Sequence, residues 1–173
     1  PRDPRETYSD EPSNQDNWQA GFTGNASWDM PFFANNGVFS DMRTMLVGGY
    51  HETQQSEIFD VDQTNSPTSY FDRATRSKQG SIEAFVERPD VSNVDFKAGV
   101  YYFHEIVETS YCFDASGTAP NTDLAADQSL TNDSIAGYAS GGYRLLDNVK
   151  LKGGVRYSLE KKKADQDNTR YIT

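Results

Sequence analysis

The stretch 149-VKLKGGVRYSLEKKK-163 decides the fold class of this chain. As far as Leu159, apolar or small residues alternate strictly with polar ones, and a period of two predicts a β-strand whose faces have different surroundings. Only Asp147 and Asn148 separate it from a second alternating stretch, 133–146. Such a short connection is typical of a β-hairpin. The alternation alone leaves open whether one face packs in a protein core or contacts lipid.

The rest of the chain continues the strand pattern. No long segment repeats apolar residues at the helical period of three to four. We therefore predict an all-β fold, an antiparallel up-and-down meander of about six long strands. The predicted strands lie near 18–30, 41–58, 73–88, 95–113, 133–146 and 149–162, in one unit covering 1–173.

The predicted connections alternate in length. Segments 31–37, 89–93 and 147–148 are short and rich in turn-forming residues, whereas 57–72 and 112–133 are long and polar. Tight turns at one end and long loops at the other are typical of outer-membrane barrels. Together with aromatic residues near the strand ends, this asymmetry favours lipid contact. We predict that the six strands form part of a transmembrane β-barrel and do not close it by themselves.

The composition excludes several classes of function. A formal net charge of -10 argues against a nucleic-acid partner, because phosphate binding needs clustered Lys and Arg. Cys112 is the single cysteine, so no intramolecular disulfide can form, and an unreactive thiol is expected. His51 and His104 are too far apart in sequence to suggest a metal site, and no nucleophile–base arrangement is visible. We expect no enzyme activity, cofactor or metal.

The hairpin 134-SIAGYASGGYRLLDNVKLKGGVRYSLEKK-162 resembles a recurrent hairpin of TonB-dependent outer-membrane receptors. The residues that carry the resemblance are Ser134, Ala136, Tyr138, Tyr143, Leu151, Gly154, Arg156, Tyr157 and Lys161. Two upstream stretches, 79–86 and 96–103, resemble further strands of that family. The run 139–142 departs from the pattern because its residues are smaller than usual. The resemblance covers most of residues 18–163.

The resemblance implies a barrel of 22 strands in the intact protein, with a plug domain and a TonB-contacting segment that 1–173 lacks. We therefore expect a fragment of a receptor barrel in the outer membrane of a Gram-negative bacterium. Such a receptor takes up a scarce nutrient, such as a ferric siderophore. Its partners would be outer-membrane lipid, the rest of the barrel, the plug, the TonB complex and a small nutrient ligand. A passive porin-type segment and a soluble β-rich binding or adhesin domain stay open as alternatives.

The alternation assigns a side to each strand residue under the membrane interpretation. The residues expected to face the lumen are Lys150, Lys152, Arg156, Glu160, Arg144, Glu83 and Glu87. Those expected to face lipid or its interfacial aromatic girdle are Trp18, Phe22, Trp28, Tyr143, Val155 and Tyr157. Aromatic residues in the segments expected to lie outside the membrane are candidates either for ligand contact or for packing the loops together: Phe59, Tyr70, Phe71, Tyr111 and Phe113.

Overall fold

The computed structural model describes residues 13–30, 42–61, 69–91, 93–114 and 122–172. In these ranges six strands form one antiparallel sheet in which each strand pairs with the next along the chain. The strands are β1 (Asn14–Asp29), β2 (Arg43–Asp60), β3 (Tyr70–Val91), β4 (Val94–Asp114), β5 (Thr122–Leu146) and β6 (Val149–Ile172). The sheet is open, which confirms the predicted fold class. The described residues contain no helix that is long and apolar enough to cross a membrane.

Several strands are longer than the alternation predicts. β5 begins at Thr122 instead of near 133, and β6 continues to Ile172 instead of ending near 162. The two extensions pair with each other in continuous register, from Thr122 with Ile172 to Asp133 with Lys161. Alternation marks only the part of a strand whose faces differ in polarity. Where both faces are polar the backbone ladder continues, although the sequence signal is lost.

The predicted alternation of short and long connections is wrong, because the connection 30–42, expected to be short, is longer than both connections expected to be long. The connection 30–42, whose predicted turn at 31–37 lies outside the described residues, lies at the same edge as the turn at 147–148. At the opposite edge the connections span 61–69 and 115–121. Most of 112–133 and the two ends of 57–72 belong to strands, and this is why the connections at that edge are shorter than expected.

The register sorts the side chains into two faces, because paired residues share a face and neighbours along a strand do not. One row across the sheet consists of Ala26, Leu46, Ala84, Val100, Gly137 and Tyr157. The adjoining row on the other face consists of Asn25, Val47, Glu83, Tyr101, Ala136 and Ser158. One face is therefore mainly apolar in this region and the other carries polar and charged groups.

Glycines show which face lies inside the curve of the sheet. On the face of Glu83, a Cβ added at any of five glycines would meet another atom at 2.5 to 2.9 Å: Gly21, Gly49, Gly99, Gly142 and Gly154. On the face of Val100, a Cβ at Gly24, Gly137 or Gly153 would meet nothing within 4 Å. Side chains crowd together on the inside of a curved sheet. We therefore call the Glu83 side the concave face and the Val100 side the convex face.

The convex face carries an apolar band next to the turn at 147–148. Twelve of its large side chains are exposed: Phe22, Trp28, Leu46, Ile82, Val100, Tyr102, Ile135, Tyr143, Leu151, Val155, Tyr157 and Leu159. Val155 is 72% exposed and Tyr157 is 69% exposed, so no other described element covers them. In β6 the band spans 149–159, and a transmembrane β-strand needs about 9–11 residues. The convex face turns polar at the row of Asp133 and Lys161.

Candidate functional site on the concave face

The register places the predicted site residues on opposite sides of the sheet. The seven charged residues expected to face a lumen share the concave face: Lys150, Lys152, Arg156, Glu160, Arg144, Glu83 and Glu87. The six lipid-facing or girdle candidates share the convex face: Trp18, Phe22, Trp28, Tyr143, Val155 and Tyr157. Trp18 lies beyond the apolar band, level with Gln54. That the concave face lines a lumen stays a prediction.

Glu83 lies at the centre of a half-buried polar cluster on the concave face. The Tyr138 hydroxyl donates a hydrogen bond to its Oε1 atom. The Lys97 ammonium lies 4.0 Å from the same oxygen and 3.6 Å from the centroid of the Phe85 ring. A cation over an aromatic face is attracted by the ring quadrupole. Gly99 leaves room for this arrangement, because a Cβ there would approach the Tyr138 hydroxyl oxygen to 2.8 Å.

Substituting Tyr138→Phe removes the hydroxyl donor and leaves the ring in place. We expect a loss of about 1 kcal/mol in the free energy of unfolding, since a hydrogen bond to a charged group contributes about 1.5–3 kcal/mol and water reaches this half-buried site. The matched control is Tyr143→Phe, on the same strand and 53% exposed on the convex face. Urea unfolding of the full-length protein in lipid vesicles measures both variants. Equal losses for the two would contradict the role given to Tyr138.

Basic side chains gather on the concave side of the β5–β6 hairpin. Lys150 forms an ion pair with Asp95, and the Arg156 guanidinium carbon lies 5.5 Å from the centroid of the Tyr101 ring. Lys152 lies between them along β6. Glu87 and Lys97 are opposite each other in the register of β3 and β4. The predicted lumen charges thus form a mixed surface in which cations dominate near the turn at 147–148.

Ion pairs mark the convex face just beyond the apolar band. Arg76 donates to Glu52 through Nε at 2.7 Å, and this hydrogen bond holds the pKa of the Glu52 carboxyl below its ordinary value. The resulting stabilisation is present above the ordinary carboxyl pKa and is lost as the pH falls through the lowered one. It is small, because the pair is exposed to solvent. Asp133 accepts hydrogen bonds from Tyr102 at 3.0 Å and pairs with His104 Nδ1 at 2.7 Å.

The candidate ligand aromatics all lie in strands, which corrects the predicted positions of Phe59, Tyr70 and Phe71 in the connection 57–72. Phe59, Phe71 and Phe113 are register partners on the concave face, whereas Tyr70 lies on the convex face. The ring centroids of Phe59 and Phe71 are 5.1 Å apart, and those of Phe71 and Tyr111 are 5.9 Å apart. These rings therefore pack against each other along the sheet, at the edge opposite the turn at 147–148.

A concave pocket of about 630 Å³ lies across β1 to β4. On the concave face its lining consists of Gln19, Gly21, Thr23, Gly49, His51, Gln79, Ser81, Tyr101 and Phe103. Sequence reasoning missed this site, because it draws attention to charges and to residues in loops. Its only sequence signal is the glycine pair of β1 and β2, Gly21 and Gly49, each opposite a larger residue. Elsewhere in the described part of the chain, no three His, Cys, Asp or Glu side chains come close enough to hold a metal ion.

Comparisons with known proteins support the fold. No protein-family model and no curated protein matches the chain. Among solved structures, the ferric yersiniabactin uptake receptor FyuA from Yersinia pestis matches with a TM-score of 0.61 and 16% sequence identity, over 88% of this chain. The match covers 24% of the receptor, so the chain spans about a quarter of the receptor's length. The chain therefore has the fold of a segment of a TonB-dependent receptor barrel.

Proposed function

We propose that the chain forms part of the barrel wall of a TonB-dependent receptor in the outer membrane of a Gram-negative bacterium. In the intact protein a plug domain and the TonB complex would couple inner-membrane energy to uptake of a scarce nutrient, such as a ferric siderophore. The wall segment itself performs no chemistry; it separates lipid from the passage and presents polar groups to the passing ligand.

The observation that carries this proposal is the exposed apolar band of the convex face. Val100 in β4 is 60% exposed and Val155 in β6 is 72% exposed, on the same side of the sheet. A soluble protein rarely exposes so large a continuous apolar surface. A lipid surface accounts for it, because an outward apolar band and a polar interior are what a transmembrane barrel requires. The soluble adhesin alternative would need a second layer covering this band, and none of the described strands supplies one.

Uptake in living cells tests the proposal. Iron uptake is compared between the natural host and a strain that lacks the full-length gene, and the host is also measured without the TonB protein and with a protonophore. We expect the full-length protein in the outer-membrane fraction, and uptake that is lost without TonB or without inner-membrane energy. Uptake that persists in both conditions would identify the passive porin-type alternative. Recovery of the protein in the soluble fraction would overturn the membrane assignment.

A further inference from the structure

Two glycines, each paired with a larger residue, lie in the concave pocket on β1 to β4. Gly21 pairs with His51 and Thr23 pairs with Gly49 in adjoining rows of the register. A Cβ at Gly21 would meet His51 Cδ2 at 2.8 Å, and a Cβ at Gly49 would meet Thr23 Cγ2 at 2.9 Å. The two larger side chains therefore lie across glycines of the opposite strand. The space over each glycine is therefore already occupied, and a side chain at Gly21 or Gly49 would displace His51 or Thr23 from its place in the pocket lining.

The walls of the pocket combine neutral hydrogen-bonding groups with aromatic rings. Ser81 and Phe103 extend the row that begins with Thr23 and Gly49, and Gln79 extends the row of His51. An amide both donates and accepts, and a hydroxyl does so through one atom. Tyr101 and Phe103 place two rings at the β4 side. The volume of about 630 Å³ falls within the range of about 300–1,000 Å³ that is usual for small-molecule sites.

The described lining is made mainly of neutral polar and aromatic side chains, and this favours a neutral ligand. Among the described residues the charged groups lie at its margin: Arg156 is near the Tyr101 ring, and Glu83 and Glu105 are register partners of Tyr101 and Gln79. A charged ligand group between Thr23, Gln79 and Ser81 would lose hydration without touching a described lining residue of opposite charge. A ligand that carries many hydroxyls would satisfy the amides and hydroxyls in both directions, and its less polar ring faces would pack against the aromatic side chains.

We propose that this pocket binds a neutral carbohydrate. The inference rests on the proposed function, because it takes the concave face as the wall of a ligand passage. It specifies the chemical class of the ligand that this part of the wall would bind. Gln79, Ser81 and Thr23 hydrogen-bond the sugar hydroxyls, while Phe103 packs against a ring face. Gly21 and Gly49 give the lining side chains His51 and Thr23 the space that they occupy.

Calorimetric titration of the purified full-length protein in detergent tests the site. The probes are four neutral hexasaccharides, maltohexaose, cellohexaose, mannohexaose and xylohexaose, with hexagalacturonate as the charged counterpart. We expect at least one neutral sugar to bind with a Kd below about 1 mM and the uronate to bind at least about tenfold more weakly. Gln79→Ala and Gly49→Ala should each weaken the neutral sugar at least about fivefold. Gln128→Ala, on the concave face of β5 outside the pocket, is the control and should leave its Kd unchanged.

The outcomes separate the site from the proposed function. Lack of binding by all four neutral sugars, equal binding of the uronate, or an unchanged Kd in Gln79→Ala would each overturn the carbohydrate site. TonB-dependent uptake of iron alongside any of these results would leave the proposed function standing. Sugar binding that responds to Gln79→Ala, together with no TonB-dependent uptake of any compound, would retain the site and remove the receptor role.

Discussion

Replacing Val155 by Arg should destabilise the assembled barrel by about 2–4 kcal/mol, the cost of a basic residue at the lipid midplane of a barrel. Val155 lies near the middle of the band that spans 149–159 in β6, and it is 72% exposed on the convex face. An arginine there must either enter hydrocarbon or distort the strand so that its guanidinium reaches the interface. Urea unfolding in lipid vesicles, and the amount of folded protein in outer-membrane fractions, measure the effect.

The control for this substitution lies three residues along the same strand. Ser158 is an exposed residue of the concave face, in the row of Glu83 and Tyr101. Ser158→Arg adds the same side chain toward the polar side, so we expect a change within about 0.5 kcal/mol, as for an ordinary surface substitution. Equal losses for the two variants would show that the convex face does not contact lipid.

The second large effect is expected for Gly99→Ala, with a loss of about 1–3 kcal/mol from overpacking. A Cβ at Gly99 would lie 2.6 Å from the Phe85 Cβ and 2.8 Å from the backbone oxygen of Ala84. The backbone of a paired strand cannot move away without disturbing the ladder. The same Cβ would displace the Tyr138 hydroxyl from Glu83, so the polar cluster should loosen as well.

Gly137→Ala provides the matched comparison for Gly99→Ala. Gly137 lies in β5 on the convex face, and a Cβ there would meet nothing within 4 Å. Both substitutions restrict the unfolded chain equally, so the difference between their unfolding free energies reports the crowding alone. We expect Gly137→Ala to be neutral or slightly stabilising. If Gly99→Ala were equally neutral, the assignment of the concave side would be wrong.

The sequence predicts the fold well where the two faces of a strand differ. The alternation around Val155 and Arg156 assigns the correct faces in β6, because one residue is in the apolar band and the next is among polar groups. The short turn at 147–148 then sets the pairing of β5 with β6. These are local signals, and each can be read within about ten residues.

The alternation does not predict where the strands end. In 122–132 of β5 and 164–172 of β6 both faces are largely polar, so the period of two disappears. Pairing there depends on backbone hydrogen bonds that start from the neighbouring hairpin and propagate along the register. Phe71 was likewise expected in the connection 57–72 and lies in β3.

The pocket is harder to predict, because its members come from four strands and none is chemically unusual. Gln19, Gln79 and Ser81 are ordinary polar strand residues in the sequence. Only the register brings them to one pocket. Only the structure shows that His51 and Thr23 lie over the glycines of the paired strand. Charged residues such as Glu83 are conspicuous in the sequence, but Glu83 belongs to the adjoining polar cluster with Tyr138 and Lys97.

The long polar ends of β5 and β6 also affect how the folded protein meets antibodies and proteases. The segment 122–132 has the composition of a flexible antigenic peptide, yet its backbone is committed to neighbours on both sides, β4 and β6, over most of its length. An antiserum raised against the free peptide should therefore recognise denatured protein on blots and fail to bind the folded protein. A protease added to the folded protein would likewise find little cleavable chain within 122–132.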